Sequence, residues 1–282
     1  MKISENLGDE TDMNFGTSDE NVGKIHHPQV ATFITARTGS SRLPGKPLLQ
    51  IMGKPIIEHL IERVKRAKLP QRIVLCTTVL PEDDPLKQIA TRTGILTFRG
   101  HPTDILMRWL KAAEHYQVDF IVSADGDDVF CDPEHIDKIV EHFLKTNADY
   151  ITCRGLPFGA TPTGIKVEAL RKICELKLDE DTEGQSRYFT QTGLFRVEYL
   201  DITDPELNHP EIRMTLDYLE DFEFFKAVFQ HLYKPEKAFG LQEIIKLLEQ
   251  HPGIVKINQH MQEKYEERFQ AKYGEVKLKK QP

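Results

Sequence analysis

No stretch of this chain approaches the ~20 consecutive apolar residues that cross a bilayer, so no transmembrane helix is expected. A basic surplus is missing too. The formal net charge is -7, which argues against general nucleic-acid binding, though local cations can still outvote the global sign for a small anion. Cysteine is scarce: Cys76, Cys131, Cys153 and Cys174 make up the set, none spaced C-x-x-C and none beside a histidine pair at zinc-ligand spacing. That excludes a dithiol redox motif and a structural zinc site. It leaves the expectation of buried, reduced thiols in a cytoplasmic protein. Repeats and low-complexity tracts are absent, so a solenoid is excluded. Residues 1–27 hold few large apolar side chains and are acidic and polar. They are expected to form a flexible tail rather than a signal or transit peptide.

What is present is enough apolar residue, 39% of 282, to build one large core or two small ones. From Val30 the chain alternates. Residues 30–35 (VATFIT), 71–78, 95–100 and 119–124 are apolar runs with strand composition. Between them, residues 56–68, 81–93 and 103–116 carry apolar positions at helical spacing. Strand–helix alternation of this kind predicts a mostly parallel α/β sheet flanked by helices. Unbroken apolar strands fit a sheet covered on both faces. After Asp132-Pro133 a helix to about Thr146 and a strand over 149–154 are expected. A Gly- and Pro-rich loop should span 155–165, a helix 168–178 and a strand 191–199. Residues 214–233 begin extended and become helical, with Asp217 at the join, and two more helices should flank the HPG turn at 251–253.

Sheets of this class bind ligands at the carboxyl ends of their strands. Two segments fall there. The first, ARTGSSRLPGK at 36–46, offers Gly39 and Gly45 for close backbone approach, hydroxyls from Ser40 and Ser41, and three cations, Arg37, Arg42 and Lys46. It is not a Walker loop, because Pro47 follows Lys46, and it is not G-x-G-x-x-G. A polyphosphate is the ligand that this mixture suits; a plain basic turn is the bland reading. The second segment, ADGDD, places Asp125, Asp127 and Asp128 after a buried strand. Clustered acids call for a compensating cation, and magnesium takes one or two carboxylates plus phosphate oxygens. Spacing alone does not choose between Asp125 and Asp127, and an acidic turn capping the next helix is the bland alternative. Asp217, in RMTLDYLEDF, is a second acid at a strand-like end, with an N-cap as its ordinary role. Asp221 falls in the first helical turn, where a structural role is expected.

Taken together, ARTGSSRLPGKPL, the GKPIIEHLIERVKRA helix, FRG followed by DIL, GD followed by DP, R-x-T-L-D-x-x-E-D-F and HPGIVKINQH resemble one family. It is the family of cytidylyltransferases that activate acidic sugars, the 3-deoxy-manno-octulosonate and acylneuraminate cytidylyltransferases, with the spore-coat polysaccharide biosynthesis F-type branch nearest. The resemblance covers about residues 30–262. It implies a nucleotide-diphospho-sugar transferase (Rossmann-like) fold in a domain of residues 28–262, followed by a C-terminal helix and basic tail over 263–282. It implies CTP and a small acidic sugar as substrates and Mg²⁺ as cofactor, with a CMP-sugar and pyrophosphate as products. Ala36, Arg37, Gly39, Ser40, Arg42 and Lys46 would hold the nucleotide, with Thr77, Thr78 and Asp125 beside it. Asp127 and Asp217 would hold the metal. The homodimer common in relatives would pair through an insertion at 155–212.

Two departures from the family pattern bear on the acceptor. Where the F-type branch has acids in R-G-L-D and E-H-V-T, this chain has TGIK at 163–166 and SRYFT at 186–190. Lys166, Arg187 and Gln191 are therefore candidate substrate-binding residues, and Arg213, two residues before Thr215 and within expected reach of a phosphate or a carboxylate, is a separate one. Rival readings are a nucleotidyltransferase using another triphosphate or a sugar 1-phosphate, a glycosyltransferase using DGDD as a metal-binding D-x-D, and a non-catalytic nucleotide-binding domain.

Overall fold

The computed structural model describes residues 28–279; the tail at 1–27 and the last residues of the basic tail lie outside them. The elements are β1 (Val30–Thr35), β2 (Gln50–Ile51), β3 (Lys54–Pro55), α1 (Ile56–Val64), β4 (Arg72–Thr78), α2 (Asp84–Thr93), β5 (Leu96–Gly100), α3 (Ile105–Tyr116) and β6 (Phe120–Asp125). There follow α4 (Pro133–Thr146), β7 (Tyr150–Arg154), β8 (Thr163–Lys166), α5 (Val167–Leu176), α6 (Arg187–Thr190) and β9 (Val197–Asp201). Helices α7 (Leu219–Leu232), α8 (Leu241–Gln250), α9 (Pro252–Val255) and α10 (Met261–Lys272) complete them. None of these helices is long and apolar enough to cross a membrane.

Seven strands form one sheet in the order β5-β4-β1-β6-β8-β7-β9. All neighbours pair in parallel except at β8, which runs antiparallel to both β6 and β7. The alternation of side chains along β1 explains why its apolar run is unbroken. Ala31 and Phe33 pack on one face with α3 and α5, while Val30 and Ile34 pack on the other with α1, α4, α7 and α8. Each large side chain so buried contributes about 1.5–3 kcal/mol, and stacking of Phe120 on Phe143 at 3.8 Å adds to one face. Local signals set the helix ends. Asp104 and Asp132 cap α3 and α4 by accepting from the Met107 and His135 amides, and Gly94 ends α2 in the left-handed region at φ 70°. All four cysteines are free and buried, and burial pushes the Cys76 thiol up to about 12.

Two expectations about the second half need correction. The segment 155–165 is not loop throughout: Thr163–Lys166 is strand β8. Gly164 sits in it because a Cβ there would come within 2.5 Å of Ile139 and of the Phe120 ring. The strand expected at 191–199 begins only at Val197, and Arg187–Thr190 is a helical turn instead. Tyr188 and Phe189 drive that turn by burying both rings beneath the sheet, next to Tyr150.

Candidate active site

Thr35 and Asp125 are register partners on adjacent parallel strands, so the loop at 36–46 and the DGDD segment leave the sheet side by side. The approach is close enough that a Cβ on Gly126 would lie 2.7 Å from both Ala36 Cβ and the Thr35 carbonyl. The Gly126 amide donates to that carbonyl at 2.8 Å. Asp217 comes from elsewhere. Residues 212–216 run beside 158, with the Phe158 amide donating to Ile212 and the Met214 amide to Phe158, and the Leu216 amide donates to the Asp127 carbonyl. Gly159, at φ 95°, lets this happen, since a Cβ would overlap the Met214 carbonyl at 2.5 Å.

The result is a cleft of about 960 Å³ at the carboxyl end of the parallel strands. Ala36, Arg37, Gly39, Ser40, Arg42, Lys46, Asp125, Asp127 and Asp217 all line it. The Lys46 ammonium sits between the two acids, 2.5 Å from Asp127 Oδ2 and 3.1 Å from Asp217 Oδ1, and donates to the Leu216 carbonyl at 2.8 Å. Arg42 donates to the same Asp217 oxygen. Arg37 pairs with Glu183 and donates to the Pro102 carbonyl.

Charge orders the pKa values. Burial works against the Lys46 ammonium, but Asp127 and Asp217 outweigh it and its pKa is raised. Burial likewise opposes ionisation of Asp217, yet Lys46, Arg42 and Arg213 hold it below the usual carboxylate range. Asp125 and Asp128 are less well compensated: Lys46 and the Gln185 amide favour the Asp125 carboxylate but do not outweigh what opposes it. Burial, and behind it the charge of Asp127, lifts Asp125 to about 7 and Asp128 well above the usual range. Asp217 is therefore held as a carboxylate against its cations, while Asp125 and Asp128 are inclined to keep a proton.

Several residues expected at the substrate lie elsewhere. Lys166 is at the opposite end of the sheet: it pairs with Phe120, the first residue of β6, and its ammonium reaches Glu168. Arg187 is buried below the cleft, donating to the Gly184 and Gly274 carbonyls and stacked on Tyr273 at 4.8 Å. Gln191 is exposed beyond α6 and does not reach the cleft. Arg213 stands behind the acids. It donates to Asp221 at 2.8 and 3.0 Å and to Asp217 at 3.3 Å, so it positions Asp217 rather than meeting a ligand. Asp221 also accepts from the Asp217 and Tyr218 amides and from Asn258, which gives it the structural role expected. Thr77 and Thr78 are fully buried in β4, with the Thr78 hydroxyl given to Asp83, and neither side chain lines the cleft.

Others went unread. Thr152, Thr163, Ser186 and Thr190 line the far wall, with the Thr190 hydroxyl donating to the Ser186 carbonyl, and the Gln185 amide donates to Asp125. Helix α10 forms a further wall with Tyr265, Arg268, Phe269, Lys272 and the following Tyr273. Nothing local in these segments says which surface they will meet; only the chain path puts them here.

The donor set suits magnesium. Two carboxylate oxygens converge on one point already held by a cationic nitrogen, and no trio of His, Cys, Asp and Glu among the described residues would encage a metal unaided. A hard ion that takes two carboxylates and fills its shell with water and phosphate oxygens fits such a pair.

Fold and site thus define a nucleotide-handling α/β enzyme with an anion loop facing paired acids. The comparison with known families narrows this. A family model described as cytidylyltransferase matches residues 31–257, and the chain belongs to that family of nucleotidyltransferases. It is 33% identical over 239 residues to an uncharacterised protein of Methanocaldococcus jannaschii, covering 84% of this chain and 97% of that one. It is 29% identical over 227 residues to the spore coat polysaccharide biosynthesis protein SpsF of Bacillus subtilis, covering 78% and 93%. A cytidylyltransferase structure from Leptospira borgpetersenii superposes with a TM-score of 0.74 at 27% identity, over 81% of this chain and 97% of that one. A CMP:2-keto-3-deoxy-manno-octonic acid synthetase complexed with CTP superposes at 0.56 over 72% and 100%; at 18% identity it speaks to the fold alone.

Proposed function

We propose that the protein transfers cytidylyl from CTP to an acidic, ulosonic-type sugar, releasing pyrophosphate and forming a CMP-sugar. The observation that carries this is the convergence of Lys46, Asp127 and Asp217 at one point beside the 36–46 loop. A relative 31% identical over 179 residues, from Trichlorobacter lovleyi, is a 3-deoxy-manno-octulosonate cytidylyltransferase; it spans 62% of this chain and 68% of its own. The polar residues of the far wall, Thr152, Thr163, Ser186, Thr190 and Gln185, suit a polyhydroxylated acceptor.

In this reading Arg37, Arg42 and Lys46 exchange their carboxylate partners for the β and γ phosphate oxygens. The loop amides and Ser40 orient the same phosphates. The acceptor hydroxyl attacks the α phosphorus in line, and pyrophosphate departs toward the loop cations, which stabilise its growing charge. Asp127 and Asp217 would hold Mg²⁺, which supplies charge neutralisation at the α phosphate when bound. Arg213, fixed by Asp221, keeps Asp217 aimed at that point.

The test is incubation with each of the four nucleoside triphosphates, Mg²⁺ and a panel of octulosonic and nonulosonic acids, followed by weighing the products. A CMP-sugar mass and stoichiometric pyrophosphate are expected. Turnover with another triphosphate, or with a sugar 1-phosphate, would replace this reading.

A further inference from the structure

Glu183, a carboxylate in the cleft wall, enters the scheme above only as the partner that Arg37 gives up, yet three donors converge on it. One oxygen takes the Arg37 guanidinium. The other takes the Lys272 ammonium at 2.6 Å and the Tyr273 hydroxyl at 2.7 Å. A fork, an ammonium and a hydroxyl around one anion is the pattern that also grips phosphate and substrate carboxylates. The phenol is a dependable donor, because burial, then the charge of Asp181, pushes it up to about 12. Arg187 stacks on its ring and donates to the Gly274 carbonyl beside it, which fixes its place.

The donors come from two sources. Arg37 belongs to the loop that the family shares, whereas Lys272 and Tyr273 lie beyond the residues 31–257 that match the family model. The site is thus completed by this chain's own C-terminal helix. Each loop cation has an internal carboxylate: Lys46 has Asp127, Arg42 has Asp217 and Arg37 has Glu183. The first two acids have a metal to take in exchange. Glu183 has only the cations, so a ligand that uses Arg37 must displace it.

We propose that Arg37, Lys272 and Tyr273 form an oxyanion subsite of the substrate cleft, and that Glu183 is its internal competitor. This rests on the proposed function for the surrounding cleft. The ligand group is a phosphate of the nucleotide or pyrophosphate, or the carboxylate of the acceptor.

Calorimetric titration of inorganic pyrophosphate, CTP and 3-deoxy-manno-octulosonate into wild type, Glu183→Gln and Lys272→Gln tests it, with melting midpoints recorded alongside. Removing the competitor should tighten binding about tenfold, and removing the subsite cation should weaken it about tenfold. Opposite shifts for pyrophosphate and CTP assign the subsite to phosphate; opposite shifts for the sugar acid alone assign it to a carboxylate. A mere structural tie predicts the same sign for both variants, since both break the same ion pair. Same-sign or null shifts for all three ligands overturn the proposal. Opposite shifts with pyrophosphate in a protein that shows no preference for CTP would keep the subsite and remove the cytidylyl reading.

Discussion

Lys46 shows how much chemistry one side chain can concentrate. Its ammonium is nearly sealed from water, and it stays charged because Asp127 and Asp217 stand against it. Arg42→Ala, on the same loop, should weaken CTP binding by about 1.5–3 kcal/mol, the size of a charge-assisted contact, as read by calorimetry. Asp217→Asn keeps the shape but halves the acid pair; turnover should fall on the order of a thousandfold with the fold intact by circular dichroism. His59 carries a separate expectation. It is buried against Phe229, and burial lowers its pKa below the usual 6.5. The unfolded chain therefore binds the proton first, so stability from neutral His59 is full above pH 6.5 and lost as pH falls below it. His59→Gln should flatten that slope in denaturant titrations between pH 7.5 and 5. Residues at this scale were legible where type and spacing coincide, as in the loop and Asp127. Lys166 and Arg187 lie elsewhere than expected because a cation in a short segment reveals neither which end of a strand it will occupy, as for Lys166, nor which face of a helical turn will be buried, as for Arg187.

At the scale of elements, close approach governs. Gly159→Ala would force a Cβ into the Met214 carbonyl at a positive φ, and unfolding by urea should show a loss on the order of 3 kcal/mol. The parallel strands and their helices could be read from the alternation of apolar runs with helical spacing. Strand β8 could not, since TGIK carries a glycine whose reason is the Phe120 ring beneath it, a neighbour about forty residues away in the chain. Helix α10 was legible as a helix but not as a wall: its polar sequence, MQEKYEERFQAK, announces no docking face, and Tyr265 and Phe269 find theirs only once the sheet exists.

For the whole molecule, ligand linkage gives the broadest check. CTP with Mg²⁺ at a hundred times its dissociation constant should raise the melting midpoint by about 5–10 °C, and chelation of the metal should abolish turnover. We further propose pairing of two copies through residues 155–212, which include the edge strand β9. Sedimentation should then report twice the 32.5 kDa of one chain. The pairing of every loop cation with an acid of its own has one more outcome. Nucleotide capture becomes a swap of partners within an already balanced surface, not the filling of a positive trap. Raising the ionic strength should therefore blunt affinity far less than three free cations would allow, and simple salts should make poor inhibitors.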